Sequence, residues 1–236
     1  MNIYETHCHT SESSACASAT GETQAEFYKS RGFRGIIVTD HFLNGNTTAK
    51  PDMPWEERVD IQCLGYENAK KTGDRIGLDV FFGWEYTVGG CDFLTYGLDK
   101  QWLLAHPESV TLPPNDYFDL VHDSGGYISH AHPFREDWYI EMIRLFPRKC
   151  DAVEIINSCR KQFENDMAKL FADSYGLAYT AGSDNHTAAQ TRLSGISTSE
   201  PVRDIQHFVE LLRSGEYEIY DSLTGVFPPS GAGKAK

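Results

Sequence analysis

The sequence predicts an α/β fold, a distorted, TIM-like (β/α)7 barrel, and three observations point to it. Short apolar runs alternate with helical stretches along most of the chain, the pattern of parallel strands with helices outside them. Histidines and carboxylates recur where those runs end, which is where a β/α barrel gathers its functional groups; an open sheet would bring fewer of those ends together. A chain of 236 residues buries one full core, so a single domain over 1–225 followed by a flexible tail over 226–236 is expected.

The first strand holds YETHCHT, residues 4–10, with His7 and His9 one residue apart. In extended chain, residues i and i+2 share a face, so both imidazoles can grip one metal ion while Cys8 turns away as a core thiol. Alone, the pair reads more simply as ordinary hydrogen-bonded histidines. TQAEFYKSRGF then reads as a helix closing at Gly32, and GIIVTDH as a buried strand with a polar end at Asp40 and His41. FLNGNTTAKPDMPW, rich in turn formers, is a loop placed to shape or cover a pocket. A long polar helix over 55–73 precedes LDVFFGWEY, a strand that delivers Glu85.

CDFLTYGL reads as a strand, PPNDYFDLVHDSG as a capped helix, and GYISHAHPF as a strand ending at His130 and His132. CDAVEIINS, then GLAYTAGSDNH with Asp184 and His186, and a helix in PVRDIQHFVELLRSG complete the repetition. The GAGK of the tail lacks the glycine and Ser/Thr spacing of a Walker loop.

Composition narrows the function. Hydrophobic residues at 40% and charged residues at 23% are the balance of a globular chain rather than a disordered one. No run approaches the length of a membrane span, and MNIYETHCHT lacks the basic and apolar regions of a signal peptide, so a cytoplasmic location and no membrane partner are expected. Six cysteines without a CxxC read as reduced thiols. A formal charge of −13 and the lack of a basic stripe argue against long nucleic acid, while bound divalent ions would still permit a small anionic substrate. No heptad seam forces a partner, which leaves the oligomeric state open.

Five strand ends therefore carry metal-capable groups: His7 and His9; Asp40 and His41; Glu85; His130 and His132; Asp184 and His186. Mixed imidazole and carboxylate donors suit Mn, Zn or Fe, and a carboxylate can bridge two such ions. A water whose pKa is lowered by them would attack phosphorus as hydroxide, with no covalent nucleophile, and GxSxG is absent. Arg135, Arg160 and Arg192 follow strand-end motifs and can hold a phosphate through paired hydrogen bonds, though each reads equally well as a solvent-facing or salt-bridged side chain. His41 or His186 could pass a proton to the leaving oxygen if free of metal. Glu154 and Asn157 read as groups that orient ligands, or Asn157 as a helix cap; Asp40 as an orienter of His41 or a loop cap; His207 as a surface or packing residue; and Trp55, Trp84, Trp102 and Trp138 as core or pocket wall.

The ordered set HCH (7–9), TDH (39–41), Glu85, AHPF (131–134) and GSDNH (182–186) resembles the polymerase and histidinol phosphatase (PHP) domain family. The resemblance implies a seven-stranded barrel of PHP type with two or three divalent ions. It implies that His7 and His9 share one ion with Glu85 and Asp184, that Glu85 and His132 reach a second, and that His41 and His186 hold a third. It favours His132 over His130 as the ligand. The family often continues its first motif with Ser and then Asp or His; here Ser13 and Ser14 stand, with Glu12 as a substitute, and His106 or His122 could complete the second ion. The expected activity is hydrolysis of small phosphate monoesters, with Glu85, Arg135, Arg160 and His186 in the catalytic set and a histidinol phosphatase-like reaction as one family-derived option. Hydrolysis of nucleotides or short oligonucleotides, a bimetallic carbon–nitrogen hydrolase and a non-catalytic metal-stabilised domain are the alternatives.

Overall fold

In the computed structural model, residues 1–230 are described. In chain order they form β1 (Asn2–Cys8), α1 (Gly21–Ser30), β2 (Gly35–Val38), α2 (Trp55–Ile76), β3 (Asp79–Val88), β4 (Cys91–Tyr96), α3 (Lys100–Ala105) and α4 (Pro114–Asp123). There follow β5 (Tyr127–Ala131), β6 (Ala152–Asn157), α5 (Gln162–Tyr175), β7 (Ala178–Gly182), β8 (Ser194–Thr198), α6 (Ile205–Ser214), β9 (Glu218–Asp221) and β10 (Gly225–Phe227). Helix ends follow local chemistry. The Thr20 side chain accepts the Thr23 N–H to start α1, Asp204 accepts the His207 N–H to start α6, and left-handed Gly77, Gly176 and Gly215 close α2, α5 and α6.

The strands make one sheet in the order β10-β9-β8-β1-β2-β3-β4-β5-β6-β7. The runs β1-β2-β3 and β5-β6-β7 are parallel, as expected, but β4 is antiparallel to both of its neighbours and β8, β9 and β10 pair antiparallel beyond β1. The α/β class holds, but in place of the seven strands of the distorted (β/α)7 barrel read from the sequence there is a curled ten-stranded sheet, a half-barrel. The physical reason at β4 is the turn: only Gly89 and Gly90, at φ +57° and +82°, separate β3 from β4, too short for a crossover helix and suited to a hairpin.

Curling brings the edge strand β7 back to β1. The His9 N–H donates to the Asn185 carbonyl at 3.0 Å, the Asn185 N–H to the His7 carbonyl at 3.3 Å, and Thr6 Oγ1 to the Ala181 carbonyl at 2.5 Å. The approach is close because Gly182 has no side chain: a Cβ there would lie 2.4 Å from His7 Cβ.

Three apolar clusters surround the polar interior. One packs Ala25 and Tyr28 of α1 and Ala69 of α2 against Ile36, Val38 and Cys8, placing the Cys8 thiol in the core as read. A second is an aromatic group around Phe42, Trp84, Tyr86, Phe93, Tyr117 and Phe118, with Trp84 Nε1 donating to Tyr117 Oη at 2.7 Å. The third joins α5 and α6 to the sheet through Phe171, Phe208 and Tyr179. Trp84 is core, and Trp55 and Trp102 pack against it partly buried, but Trp138 is 93% exposed on the loop after β5, contrary to the reading of all four as core or pocket wall. Val226 and Phe227, at the start of the expected flexible tail, pair in β10; the GAGK stretch lies outside the described residues. All six cysteines are free thiols. Among the described residues no helix is long and apolar enough to cross a membrane.

Candidate metal centre and active site

His7, His9, His41, Glu85, His132, Asp184 and His186 all meet at one end of the curled sheet. Glu85, on β3, is the hub: its Oε1 lies 3.1 Å from His132 Nε2 and 3.2 Å from His7 Nε2, and its Oε2 lies 2.7 Å from His41 Nδ1 and 3.6 Å from His9 Nε2. Asp184 faces it, with Oδ1 3.4 Å from His9 Nε2, 3.6 Å from His7 Nε2 and 3.4 Å from His186 Nδ1. Two of these residues sit at backbone angles unusual for side-chain-bearing residues, His132 at φ +27° and Asp184 at φ +53°. Such strain persists where the surroundings over-determine it, as at functional sites.

The donors form three overlapping groups: His7, His9 and Asp184; His7, Glu85 and His132; and His9, His41 and His186. His7 falls in the groups of both Asp184 and Glu85, and His9 in those of both Asp184 and His186.

Proton bookkeeping shows that this set fits divalent cations. His7 Nδ1 lies 2.9 Å from Glu154 Oε1, and His9 Nδ1 lies 3.1 Å from Ser14 Oγ, whose own proton goes to Asp40 Oδ1 at 2.6 Å. With Nδ1 the donor in each ring, both Nε2 lone pairs point into the cluster, 3.2 Å apart, beside carboxylates that only accept. The facing Nε2 atoms and the carboxylates call for positive charge between them, carried by ring protons in the metal-free chain and supplied by a cation when one is bound. Burial would push the Glu85 and Asp184 carboxyls up, but the surrounding imidazoles hold both well below the ordinary carboxylate range, so they remain anionic donors.

A second layer of hydrogen bonds fixes the first. Glu154 binds His7 through Oε1, and through Oε2 accepts the His132 N–H at 3.1 Å and Asn157 Nδ2 at 2.9 Å; Asn157 also reaches Asp184 at 3.3 Å. Both therefore fix candidate ligands through hydrogen bonds. Asp40 caps the loop rather than orienting the His41 ring, accepting Thr10 N and Oγ1 and Ser14 Oγ, each at 2.6 Å. Burial nevertheless lifts it to about 6. Glu5, which sequence reasoning passed over, ties β1 to β7 by accepting the N–H groups of Thr6, His7 and Ser183.

Other sequence candidates lie elsewhere. His130 is fully buried, stacks on Phe93 at 4.6 Å, has neither ring nitrogen paired, and burial pushes it down to about 3. It faces the aromatic core, whereas His132 lies just beyond the end of β5 at Ala131 and its backbone, at φ +27°, leaves the strand's alternation and turns the ring to the centre. Glu12 accepts Gly21 N–H at the start of α1 and Asn68 Nδ2, so it is spent on a cap. His106 pairs with Glu108 and His122 with Asp151, both away from the centre. Arg192 is held by both Asp221 oxygens, and His207 accepts the Arg203 N–H at the start of α6.

A cavity of about 450 Å³ opens over the cluster, lined by Glu85, His132, Asp184, His186, His41, Asp92, Arg135 and Arg160 among others. Arg135 NH2 lies 3.0 Å from Asp92 Oδ2, and the Nε groups of Arg135 and Arg160 are buried without a partner. Asp92, Asn46, Thr87, Tyr139 and Cys16 also line the cavity and were not singled out in the sequence. For Asp92 a signal existed, since its hairpin register places it opposite Thr87, which donates to it at 2.7 Å.

A family profile described as PHP-associated matches residues 162–217, from the start of α5 to the residue before β9. That profile covers only this segment of the chain, and the likeness it shows is to a PHP-associated region. Its half-barrel is similar to that of a two-domain protein from Bacteroides vulgatus containing a predicted PHP-like metal-dependent phosphoesterase, at 15% identity and a TM-score of 0.66, covering 93% of this chain and 64% of that one. An amidohydrolase from Chromobacterium violaceum, solved with bound sulfate and no metal, matches at 15% identity and a TM-score of 0.58, covering 98% of this chain and all of that one (100%). A lesion-specific endonuclease from Pyrococcus furiosus matches at 14% identity and a TM-score of 0.59, covering 93% of this chain and 57% of that one. At these identities the likeness is one of fold, and this chain spans less than two thirds of the first and third of these proteins. No curated protein is significantly similar in sequence.

Proposed function

We propose that this protein is a member of the PHP domain family and a metal-dependent hydrolase of small phosphate monoesters. The observation that carries the reading is the pairing, in one cavity, of an anionic, imidazole-rich centre with two guanidinium groups whose buried Nε donors lack partners. An unpaired buried donor costs about 1–3 kcal/mol, and a tetrahedral anion supplies the acceptor. His7, His9, His41, Glu85, His132, Asp184 and His186 would hold two or three ions of Mn, Zn or Fe. When bound, such ions supply an activated water at neutral pH and offset charge on phosphoryl oxygens.

The chain's own residues do the rest. Asp92 fixes Arg135 beside His132, so the guanidinium meets the ester already oriented. Arg160 closes on the anion from the loop after β6. His186 is the more open of the two imidazoles read as proton donors, at 25% side-chain exposure against 12% for His41, and one ring nitrogen serves either a proton or a ligand bond. A cavity of about 450 Å³ is sized for a small ester, and the acidic chain gives a long polyanion no track.

Arg135→Ala and Arg160→Ala are each expected to lower kcat/KM on phosphate esters by roughly 10–100-fold, from the loss of about 1.5–3 kcal/mol of charged hydrogen bonding. Metal content should not change. Steady-state kinetics over histidinol phosphate, nucleoside monophosphates, a short oligonucleotide and an amide decide among the substrate classes. Equal losses on the amide, or none on any ester, would remove phosphate from the account.

A further inference from the structure

We propose that Cys16 is a thiolate ligand of the ion held by His41 and His186, which makes that site selective for zinc over manganese. The inference rests on the metal reading above. Cys16 Sγ lies 3.2 Å from His41 Nε2 and within hydrogen-bonding reach of the His186 imidazole, on the wall of the active-site cavity. In a tetrahedral zinc site, with Zn–S near 2.3 Å and Zn–N near 2.0 Å, sulfur and nitrogen ligands stand about 3.5 Å apart, so the sulfur is already at ligand spacing.

The loop that carries Cys16 is anchored on both sides. Ala15 N–H donates to Asn46 O at 2.9 Å, Ser18 N–H to His186 O at 2.8 Å and Ala19 N–H to His186 O at 3.2 Å. The last two bonds tie the cysteine's loop directly to the backbone of the histidine it faces. No other side chain of this loop is free to supply an anionic donor. Ser13 Oγ donates to Ile61 O at 2.6 Å, Ser14 Oγ is committed to Asp40 and His9, and Glu12 caps α1. The group of His9, His41 and His186 is otherwise all imidazole, and a thiolate would offset the ion's charge there. His41 Nδ1, on the other side of the ring, lies 2.7 Å from Glu85 Oε2 without forming a hydrogen bond, which leaves Nε2 as the nitrogen that faces Cys16. Thiolate is a soft donor that favours zinc, whereas manganese prefers oxygen.

The test is cobalt(II) titration of metal-stripped full-length protein, followed by absorption, with zinc and manganese competition and metal counting. Wild type should show a sulfur-to-cobalt charge-transfer band in the near ultraviolet. Cys16→Ser should lose that band while keeping the visible bands of the remaining cobalt, and its zinc affinity at one site should fall at least about tenfold. Cys159→Ser, which removes a thiol next to Asp184 but outside the cavity, should retain the band. Cobalt uptake without a charge-transfer band, or a band that survives in Cys16→Ser, would overturn the assignment and leave the metal centre standing. No cobalt uptake would overturn both.

Discussion

Glu85→Gln is expected to empty the metal centre and abolish turnover, with the fold retained. The Glu85 carboxylate lies within 3.6 Å of ring nitrogens on four histidines, and it belongs to the group formed with His7 and His132. It is buried, and the imidazoles hold it well below the usual carboxylate range against the effect of burial, so at neutral pH its full charge is present to be lost. Removing one partner from a buried charge cluster costs about 3–5 kcal/mol, which corresponds to a loss on the order of 10² to 10³ in metal affinity. Glutamine keeps the shape and one acceptor, so circular dichroism of the metal-free variant should match wild type. Metal counting and turnover should fall together; retained metal with full activity would remove Glu85 from the centre.

Gly182→Ala is expected to destabilise the protein by about 3 kcal/mol or more through overpacking. The added Cβ would stand 2.4 Å from His7 Cβ and 2.7 Å from Glu154 Oε1, both fully buried. Neither neighbour yields readily, because Glu154 is held by three hydrogen bonds and one of them fixes His7 at Nδ1. Relief requires β7 to pull away from β1, which breaks the Thr6–Ala181 and His9–Asn185 hydrogen bonds that close the half-barrel. For a chain of this size the midpoint of thermal unfolding should fall by roughly 6–12 °C. Gly176→Ala is the internal comparison: its φ is +66° with nothing within 4 Å of the new Cβ, so only about 1 kcal/mol of left-handed strain is at stake. Differential scanning calorimetry of both variants checks the ordering, and a Gly182→Ala as stable as Gly176→Ala would contradict the close approach.

The seven candidate ligand positions were legible because they sit at or near the ends of apolar runs. Alternation alone would put His130 and His132 on one face; the positive φ of His132 just beyond β5 separates them, which the sequence does not show. What was not legible depends on which partner a loop side chain finds. Glu12 is drawn off to the start of α1 and Arg192 to Asp221, choices that only the folded neighbours determine. Cys16 carries no periodic signal at all, being placed by a loop anchored to Asn46 and His186. Two features were readable and missed. Gly89-Gly90 between two strand-like runs is a hairpin signal that turns β4 antiparallel. Asn165, Ala168, Phe171 and Ala172 recur at helical spacing in α5, a helix that sequence reading left out.

The gathered imidazoles and carboxylates are proposed to hold catalytic divalent ions. The most direct test is to strip the protein, refill it separately with Mn, Zn or Fe, and measure bound metal and phosphate release on the ester panel in the same samples. The account predicts at least two ions per chain, with phosphate release that rises with their occupancy and is absent from stripped protein. Full occupancy with no release from any ester, or release that persists without metal, would contradict it.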